Sequence, residues 1–259
     1  MFQTIVKIFL LVIITAAITP FIRKLAFVLG AVDNPNARRI NKKPMPTIGG
    51  LAIFVAFNIG EFVLLRKDFP THELFSVLLA SSVIILTGLI DDILELKPRQ
   101  KMFGIFVASL VVYFLAGIKV RELSLPFLGH IQLGWWSFPL TIFWILALTN
   151  AVNLIDGLDG LCAGISSIYF LTISVIALIL NKMGGLDIIL CIIMLGATLG
   201  FLTHNFPPAK TFMGDCGSTF LGYMIAVISL LGFKGATFTS STFKNEVFSK
   251  GYNFNYLWN

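Results

Sequence analysis

Residues 150–166 read NAVNLIDGLDGLCAGIS, and they place Asn150, Asn153, Asp156 and Asp159 within ten residues of one another. On either side the chain is almost wholly apolar, over 135–152 before the stretch and 161–181 after it. Runs of roughly 17–25 apolar residues are long enough to cross the hydrocarbon core of a bilayer. Working outward from this joint, eight such runs emerge, at about 3–29, 47–65, 74–90, 102–118, 135–152, 161–181, 186–203 and 216–233. Core helices of a soluble protein would be shorter and would keep a polar face. Composition agrees: 57% of residues are hydrophobic, only 12% are charged, and the mean hydropathy is +0.89. Soluble domains carry about twice that charge. The sequence therefore predicts an all-α, polytopic integral membrane protein with about eight transmembrane helices.

The opening MFQTIVKIFLLVIITAAITP has Lys7 before an apolar run, as a signal peptide would. The run continues past Pro20 and seven more spans follow, which favours an uncleaved first helix. Cys162, Cys191 and Cys216 are odd in number and lie among apolar or small residues, so they read as reduced packing residues. The net charge of +6 implies no nucleic acid, because cytoplasmic loops of membrane proteins collect Lys and Arg.

Alternation along eight spans sorts the loops into two sets. One holds 30–46, 91–101, 153–160 and 204–215, with Arg38, Arg39, Lys42, Lys43, Lys97, Arg99, Lys101 and Lys210. The other holds 66–73, 119–134, 182–185 and the tail from Lys234, and it is less basic. The first set is assigned to the cytoplasm and the N-terminus to the outside. In the outer set, VRELSLPFLGHIQLG alternates apolar and polar residues around Pro126 and Gly129, the pattern of a short outer β-hairpin.

Nearly every unusual polar residue falls in the cytoplasmic set. Asp91 and Asp92 end the third span. They would serve as interfacial helix-end carboxylates, but ionisable groups at membrane depth are costly and functional by default. Adjacent helical residues point about 100° apart, so the pair can serve two partners. In NLIDGLDG the polar residues recur every three, which would stack them on a helix, whereas Gly157 and Gly160 favour a break. Asp159 could cap the sixth helix, and the ligand spacing of a calcium loop is absent. Asp215 stands just before the eighth span, as a cap or beside an anion-binding helix N-terminus that Gly214 and Gly217 leave open. Asp and Asn oxygens without clustered His or Cys select a hard cation, Mg²⁺ by preference and Mn²⁺ as substitute. Metal, carboxylates and lysines on one membrane face suit phosphoryl transfer on a nucleotide diphosphate. Positive-inside topology accounts for most single lysines; Lys43 and Lys101 are the preferred exceptions.

Four motifs, KKPMPTIGG, GLIDDILELKPRQK, NAVNLIDGLDGL and PAKTFMGDCGSTFLG, then give the chain a resemblance. It resembles the polyprenyl-phosphate N-acetylhexosamine-1-phosphate transferase family, over most of its length. The resemblance implies an Mg²⁺-dependent enzyme that moves a sugar-1-phosphate from a UDP-sugar to undecaprenyl phosphate and releases UMP. It implies catalytic roles for Asp91, Asp92 and Asp156, and metal binding by Asn153 and Asp215. Lys43, Lys101, Asp159, Asn205 and Lys210 would bind substrate, with Asn205 where the uracil pocket lies. For Asp91, positioning and charge balance are favoured over proton abstraction, because a phosphate monoester is already mostly a dianion at pH 7.

The chain looks nearer the GlcNAc-1-phosphate branch, which starts envelope polysaccharides or teichoic acids, than the MurNAc-pentapeptide branch of peptidoglycan synthesis. The expected partners are the two substrates and the bilayer, with a homodimer as the candidate assembly. The expected place is the plasma (inner) membrane, with the site facing the cytoplasm. The family pattern continues into further spans and a His-bearing loop, whereas His72, His130 and His204 are isolated here. Residues 1–234 are thus expected to form the transmembrane transferase domain and 235–259 an atypical polar tail, in a fragment or a shortened paralogue that transfers little sugar phosphate. The rivals are an inactive homologue and an ion-coupled transporter. Transporter sites lie near the midplane between internal repeats, and no repeat is evident.

Overall fold

Apolar runs that cannot hydrogen-bond to lipid must satisfy their own backbone, and helices do so within one segment. The computed structural model describes residues 2–33, 44–65, 71–125, 129–179 and 185–249. Among these lie eight α-helices at the places the eight runs mark. They are α1 (Phe2–Leu29), α2 (Gly50–Leu65), α3 (Thr71–Leu94), α4 (Pro98–Leu110), α5 (Ser137–Ile155), α6 (Leu161–Ile179), α7 (Leu186–Asn205) and α8 (Gly214–Ser249). Among the described residues, six of the eight are long and apolar enough to cross a membrane. In α2 the apolar stretch is shorter, Gly50–Phe62. The remaining helix, α4, opens on Arg99, Gln100 and Lys101 and continues as a π-helical turn over Val111–Leu115. The protein is an all-α polytopic membrane protein.

Helices α7 and α8 form the centre: 72% and 83% of their spanning stretches are buried, against 17% for α1. Around them α1, α2 and α6 pack on α7, while α3 and α5 pack on α8. Hydroxyls inside the bundle are largely satisfied within their own helices, as where Thr15 donates to Leu11 O at 2.8 Å and Thr87 to Val83 O at 2.8 Å. The three cysteines are free and buried, as their setting predicts.

At one end of the bundle, small residues bring α2 and α3 close to the start of α8. A Cβ on Gly50 would lie 1.9 Å from the Gly217 Cα, and one on Gly88 would lie 2.4 Å from the Cys216 Cα. Only glycine lets these backbones approach so closely. The same end holds the joints α3–α4, α5–α6 and α7–α8. A two-residue antiparallel pairing, β1 (Val32–Asp33) with β2 (Met45–Pro46), lies there too and was not foreseen. At the other end, β3 (Glu122–Leu125) and β4 (Gly129–Gln132) form the expected antiparallel hairpin, with Glu122 opposite Gln132. Exposed Trp135 and Trp136 follow it, the usual position of interfacial aromatic anchors.

Two boundaries differ from expectation. Helix α3 runs four residues past its apolar run, so Asp91 and Asp92 lie in its last turn and not beyond it. Helix α8 runs past its apolar stretch to Ser249.

Candidate active site

The α3–α4 joint is built by its own side chains. Glu95 takes a left-handed conformation (φ 50°) that ends α3, and Asp91 Oδ1 accepts the freed Leu96 N–H at 2.8 Å. Helix α4 then starts at once, with Pro98 in its first turn and Gln100 Oε1 accepting the Lys97 N–H at 2.9 Å. This turn places Lys101 against the end of α3. As their angular separation requires, the two aspartates face different partners. Asp91 Oδ2 is ion-paired to Lys101 at 3.0 Å. Asp92 reaches across to α8.

The start of α8 leaves N–H groups without partners inside the helix, and a nearby oxygen normally accepts them. Here both oxygens of Asp92 do so, from Asp215 N at 2.7 Å and Cys216 N at 3.0 Å. Gly214 has φ +75°, and a Cβ there would meet Thr47 O at 1.7 Å and the Asp92 carboxylate at 2.7 Å. The glycines of MGDCGST therefore bring α2 and Asp92 onto α8, and the amides of 215 and 216 already hold a carboxylate. Asp215 does not cap its own helix; its side chain is left for the cluster.

At the centre of the cluster is the Lys101 ammonium. It donates to Asp215 Oδ1 at 2.5 Å and to Asn153 Oδ1 at 3.0 Å, besides its pairing with Asp91. Asn153 Nδ2 donates in turn to Asp215 Oδ1 at 2.5 Å and to Ser218 Oγ at 2.7 Å. Residues from α3, α4, α5 and α8 thus close one network. Burial alone would lower the Lys101 pKa, but the hydrogen bonds and charges of Asp215 and Asp91 outweigh it and leave it raised. Among the described residues no three His, Cys, Asp or Glu side chains group to hold a metal; the converging oxygens are two carboxylates and one amide.

Between α5 and α6 the chain breaks, as Gly157 and Gly160 suggest, and Gly160 has φ +72°. Asp156 sits at the end of α5, half-buried, and its carboxylate accepts no hydrogen bond among the described residues. Burial first, and the Asp215 charge second, push its pKa up to about 7. Asp159 does not cap α6; its Oδ2 accepts the Ala209 N–H at 2.9 Å. Asn205 is buried and joins the same two segments. Its Oδ1 accepts from Gly160 N at 3.1 Å, and its Nδ2 donates to Thr211 O at 3.0 Å. The α7–α8 loop is also tied to the segment before α2, through Phe212 N to Pro46 O at 2.8 Å and Gly50 N to Met213 O at 2.8 Å.

The structure therefore brings together Asp91, Asp92, Lys101, Asn153 and Asp215, with Asp156 beside them. Asp159 and Asn205 brace the adjoining loops. Lys210 is exposed on the α7–α8 loop, outside the network. Lys43 lies outside the described residues. Ser218 and Thr47 escaped the sequence reading. Ser218 stands three residues after Asp215 and so on the same helix face, a signal that could have marked it.

A family model described as glycosyl transferase family 4 matches residues 74–233, which include every member of this network. The chain belongs to glycosyl transferase family 4. Its relatives divide by name. One, from Bacillus subtilis (strain 168), is named a probable undecaprenyl-phosphate N-acetylglucosaminyl 1-phosphate transferase. It is 43% identical over 225 residues, covering 86% of this chain and 62% of that protein. A phospho-N-acetylmuramoyl-pentapeptide-transferase of Bacillus anthracis is 34% identical over 224 residues, covering 82% of this chain and 68% of that protein. One of that name from Bacillus velezensis is 33% identical over 247 residues, covering 89% and 74%. The chain thus spans between three fifths and three quarters of these relatives' length.

Proposed function

We propose that this chain carries the polar face of an enzyme that transfers GlcNAc-1-phosphate from UDP-GlcNAc to undecaprenyl phosphate, releasing UMP, at the cytoplasmic side of the plasma membrane. The observation that carries the reading is the gathering of three oxygens from three helices around one cation, Lys101, at one end of the bundle. An ion-coupled transporter would place such a site near the midplane. The 43% identity to a protein named for N-acetylglucosaminyl 1-phosphate transfer favours that sugar over the MurNAc-pentapeptide.

In the reaction, an oxygen of the lipid phosphate forms a bond to the sugar-linked phosphorus. The bridging P–O bond breaks, and its electron pair leaves on UMP. No proton need be removed, because the lipid phosphate has its second pKa near 6. Asp91 fits that requirement: it is buried, paired to Lys101 and hydrogen-bonded to Leu96 N, so it orients the lysine. Asp92 acts through α8, holding Asp215 in place. Asn153 is oriented by Ser218 and presents its amide oxygen to the cation.

The residues fit a divalent cation. Hard oxygen donors converge, and the ammonium among them is a stand-in for a positive ion. Asn153 and Asp215 would hold Mg²⁺, with Asp91 facing it, and the ion would neutralise diphosphate charge. Exposed Lys210 supplies further positive charge for the substrate phosphates.

Exchange of labelled UMP into UDP-GlcNAc, in membranes with undecaprenyl phosphate and Mg²⁺, tests the reading. Label should enter UDP-GlcNAc and not UDP-MurNAc-pentapeptide; the reverse would move the chain to the other branch. Orientation has its own test. Cysteines placed at Lys97 and Ala209 should be labelled from the cytoplasmic side and one at Gly129 from outside. Labelling of Lys97 and Ala209 from opposite sides would remove the single-face site.

A further inference from the structure

We propose that the Lys101 ammonium and the divalent cation compete for the same three oxygens, so that the ion enters by displacing the lysine. This rests on the divalent-cation reading above and adds to it a specific exchange. The ammonium is held by Asp91 Oδ2, Asn153 Oδ1 and Asp215 Oδ1 at 3.0, 3.0 and 2.5 Å, from α3, α5 and α8 respectively. Three rotatable donors on one nitrogen, directed to three converging acceptors, occupy the centre of the donor set. A magnesium ion would take oxygens at about 2.0–2.1 Å. It cannot share that centre with a second cation, because like charges at contact distance repel strongly where water is scarce.

The lysine can leave without moving a helix. It stands in the first turn of α4 on a flexible four-carbon stem, and its side chain is 15% exposed, so a change of rotamer carries the ammonium toward open water. Asp215 Oδ1 is the fulcrum, since it receives both Lys101 Nζ and Asn153 Nδ2. Once the ammonium leaves, Asn153 remains fixed by Ser218, so the donor set keeps its shape.

The exchange changes the charge of the cluster. Asp91, Asp215 and Lys101 sum to −1, from two carboxylates and one ammonium. Adding a dication and keeping the displaced ammonium nearby brings the sum to +1. Asp92 and Asp156, which flank these groups, keep the whole cluster more negative than this sum, and the exchange leaves it two charges less repulsive to an anionic diphosphate. The metal and the lysine then face the phosphates from two positions.

The test uses the full chain, purified in detergent, with Mn²⁺ as the probe. The Mn²⁺-loaded structure should place the metal's anomalous signal at the present ammonium position. Lys101 Nζ should lie beyond hydrogen-bond reach of Asp215 and Asn153. Binding followed by the paramagnetic signal of free Mn²⁺ should be tighter in Lys101→Met by about tenfold or more, since no ion-paired ammonium need be evicted. Metal bound while Lys101 still contacts Asp215 and Asn153 overturns the exchange and leaves the divalent-cation reading intact. Absence of Mn²⁺ binding in both wild type and Lys101→Met, matching Asp215→Asn, would overturn that reading as well. If Lys101→Met fails to fold, the loaded wild-type structure decides alone.

Discussion

The carboxylates that join α3 to α8 and the carboxyl of Glu61 in α2 are set in the same apolar bundle, on opposite terms. Asp91, Asp92 and Asp215 lie where helices end, and together they accept the N–H groups of Leu96, Asp215 and Cys216 and the ammonium of Lys101. Glu61 lies more than three turns into α2, 6% exposed, and neither of its oxygens has a hydrogen-bond partner among the described residues. A buried polar group costs free energy unless it is paired. The first group turns that cost into geometry, because each acceptor fixes a helix end or another functional side chain. Glu61 fixes nothing among the described residues. The difference lies in position, since helix ends bring unmet donors that a mid-helix carboxyl never meets.

The sharpest way to test the partnered side is Asp215, whose oxygen joins Lys101 to Asn153. In an intact form of the enzyme, Asp215→Asn should lower UMP exchange by about 10²–10³ or more, the usual cost of removing a charge-stabilising group. Asp159→Asn should cost far less, because among the described residues Asp159 holds only the backbone of Ala209. Equal exchange in wild type and Asp215→Asn across a magnesium titration would take Asp215 out of the site.

Asp92 comes next. Asp92→Ala should lower thermal stability by about 2 kcal/mol, from a lost cap and two amides without acceptors. Turnover should fall with it, as α8 loosens its hold on Asp215. Asp92→Asn, which keeps one acceptor oxygen, should recover part of both. If turnover vanished while thermal stability stayed at wild type, Asp92 would be acting on substrate and not on the helix.

The unpartnered side predicts the opposite sign. Glu61→Leu removes a buried group with no partner and should raise stability by about 1–3 kcal/mol, with exchange unchanged. Lower stability, or lost exchange in Glu61→Gln, would mean that the carboxyl has work to do and that the contrast between the two regions is false.

Much of this was legible in the sequence, and the reason is visible in particular residues. Eight apolar runs specify eight helices because lipid permits little else, and the parity of the spans puts Asp91, Asn153, Asn205 and Asp215 at one end. What could not be read is which atom each side chain meets. Asp92 finds its donors more than a hundred residues away, because Gly50, Gly88 and Gly217 let three helices approach far enough to fix their rotation. Resemblance points Asn205 to a nucleotide pocket, and only the structure shows that its amide also braces two loops. Nothing in the run 47–65 marks Glu61 as unpartnered, since one carboxyl scarcely changes an average over nineteen mostly apolar positions.

The smallest expected effect belongs to Asp156, which stands between the two cases: beside the cluster, yet accepting no hydrogen bond among the described residues. Burial and the Asp215 charge push its pKa up to about 7, above the ordinary aspartate value of about 4. Between these two values the folded protein holds a proton that the unfolded chain has lost. Stability therefore falls as pH rises through that window and levels off above it. Ionised Asp156 adds negative charge beside the cation-binding oxygens, so exchange should move the other way, rising modestly from pH 6 to 8. A bound divalent cation favours the ionised form and should shift the rise in exchange to lower pH as Mg²⁺ is increased. Thermal stability and UMP exchange measured on the same samples across this range should slope in opposite directions. Asp156→Asn, which cannot titrate, should flatten both. Parallel slopes, or a profile that Asp156→Asn leaves unchanged, would assign the pH dependence to another group and place Asp156 with the bracing residues Asp159 and Asn205.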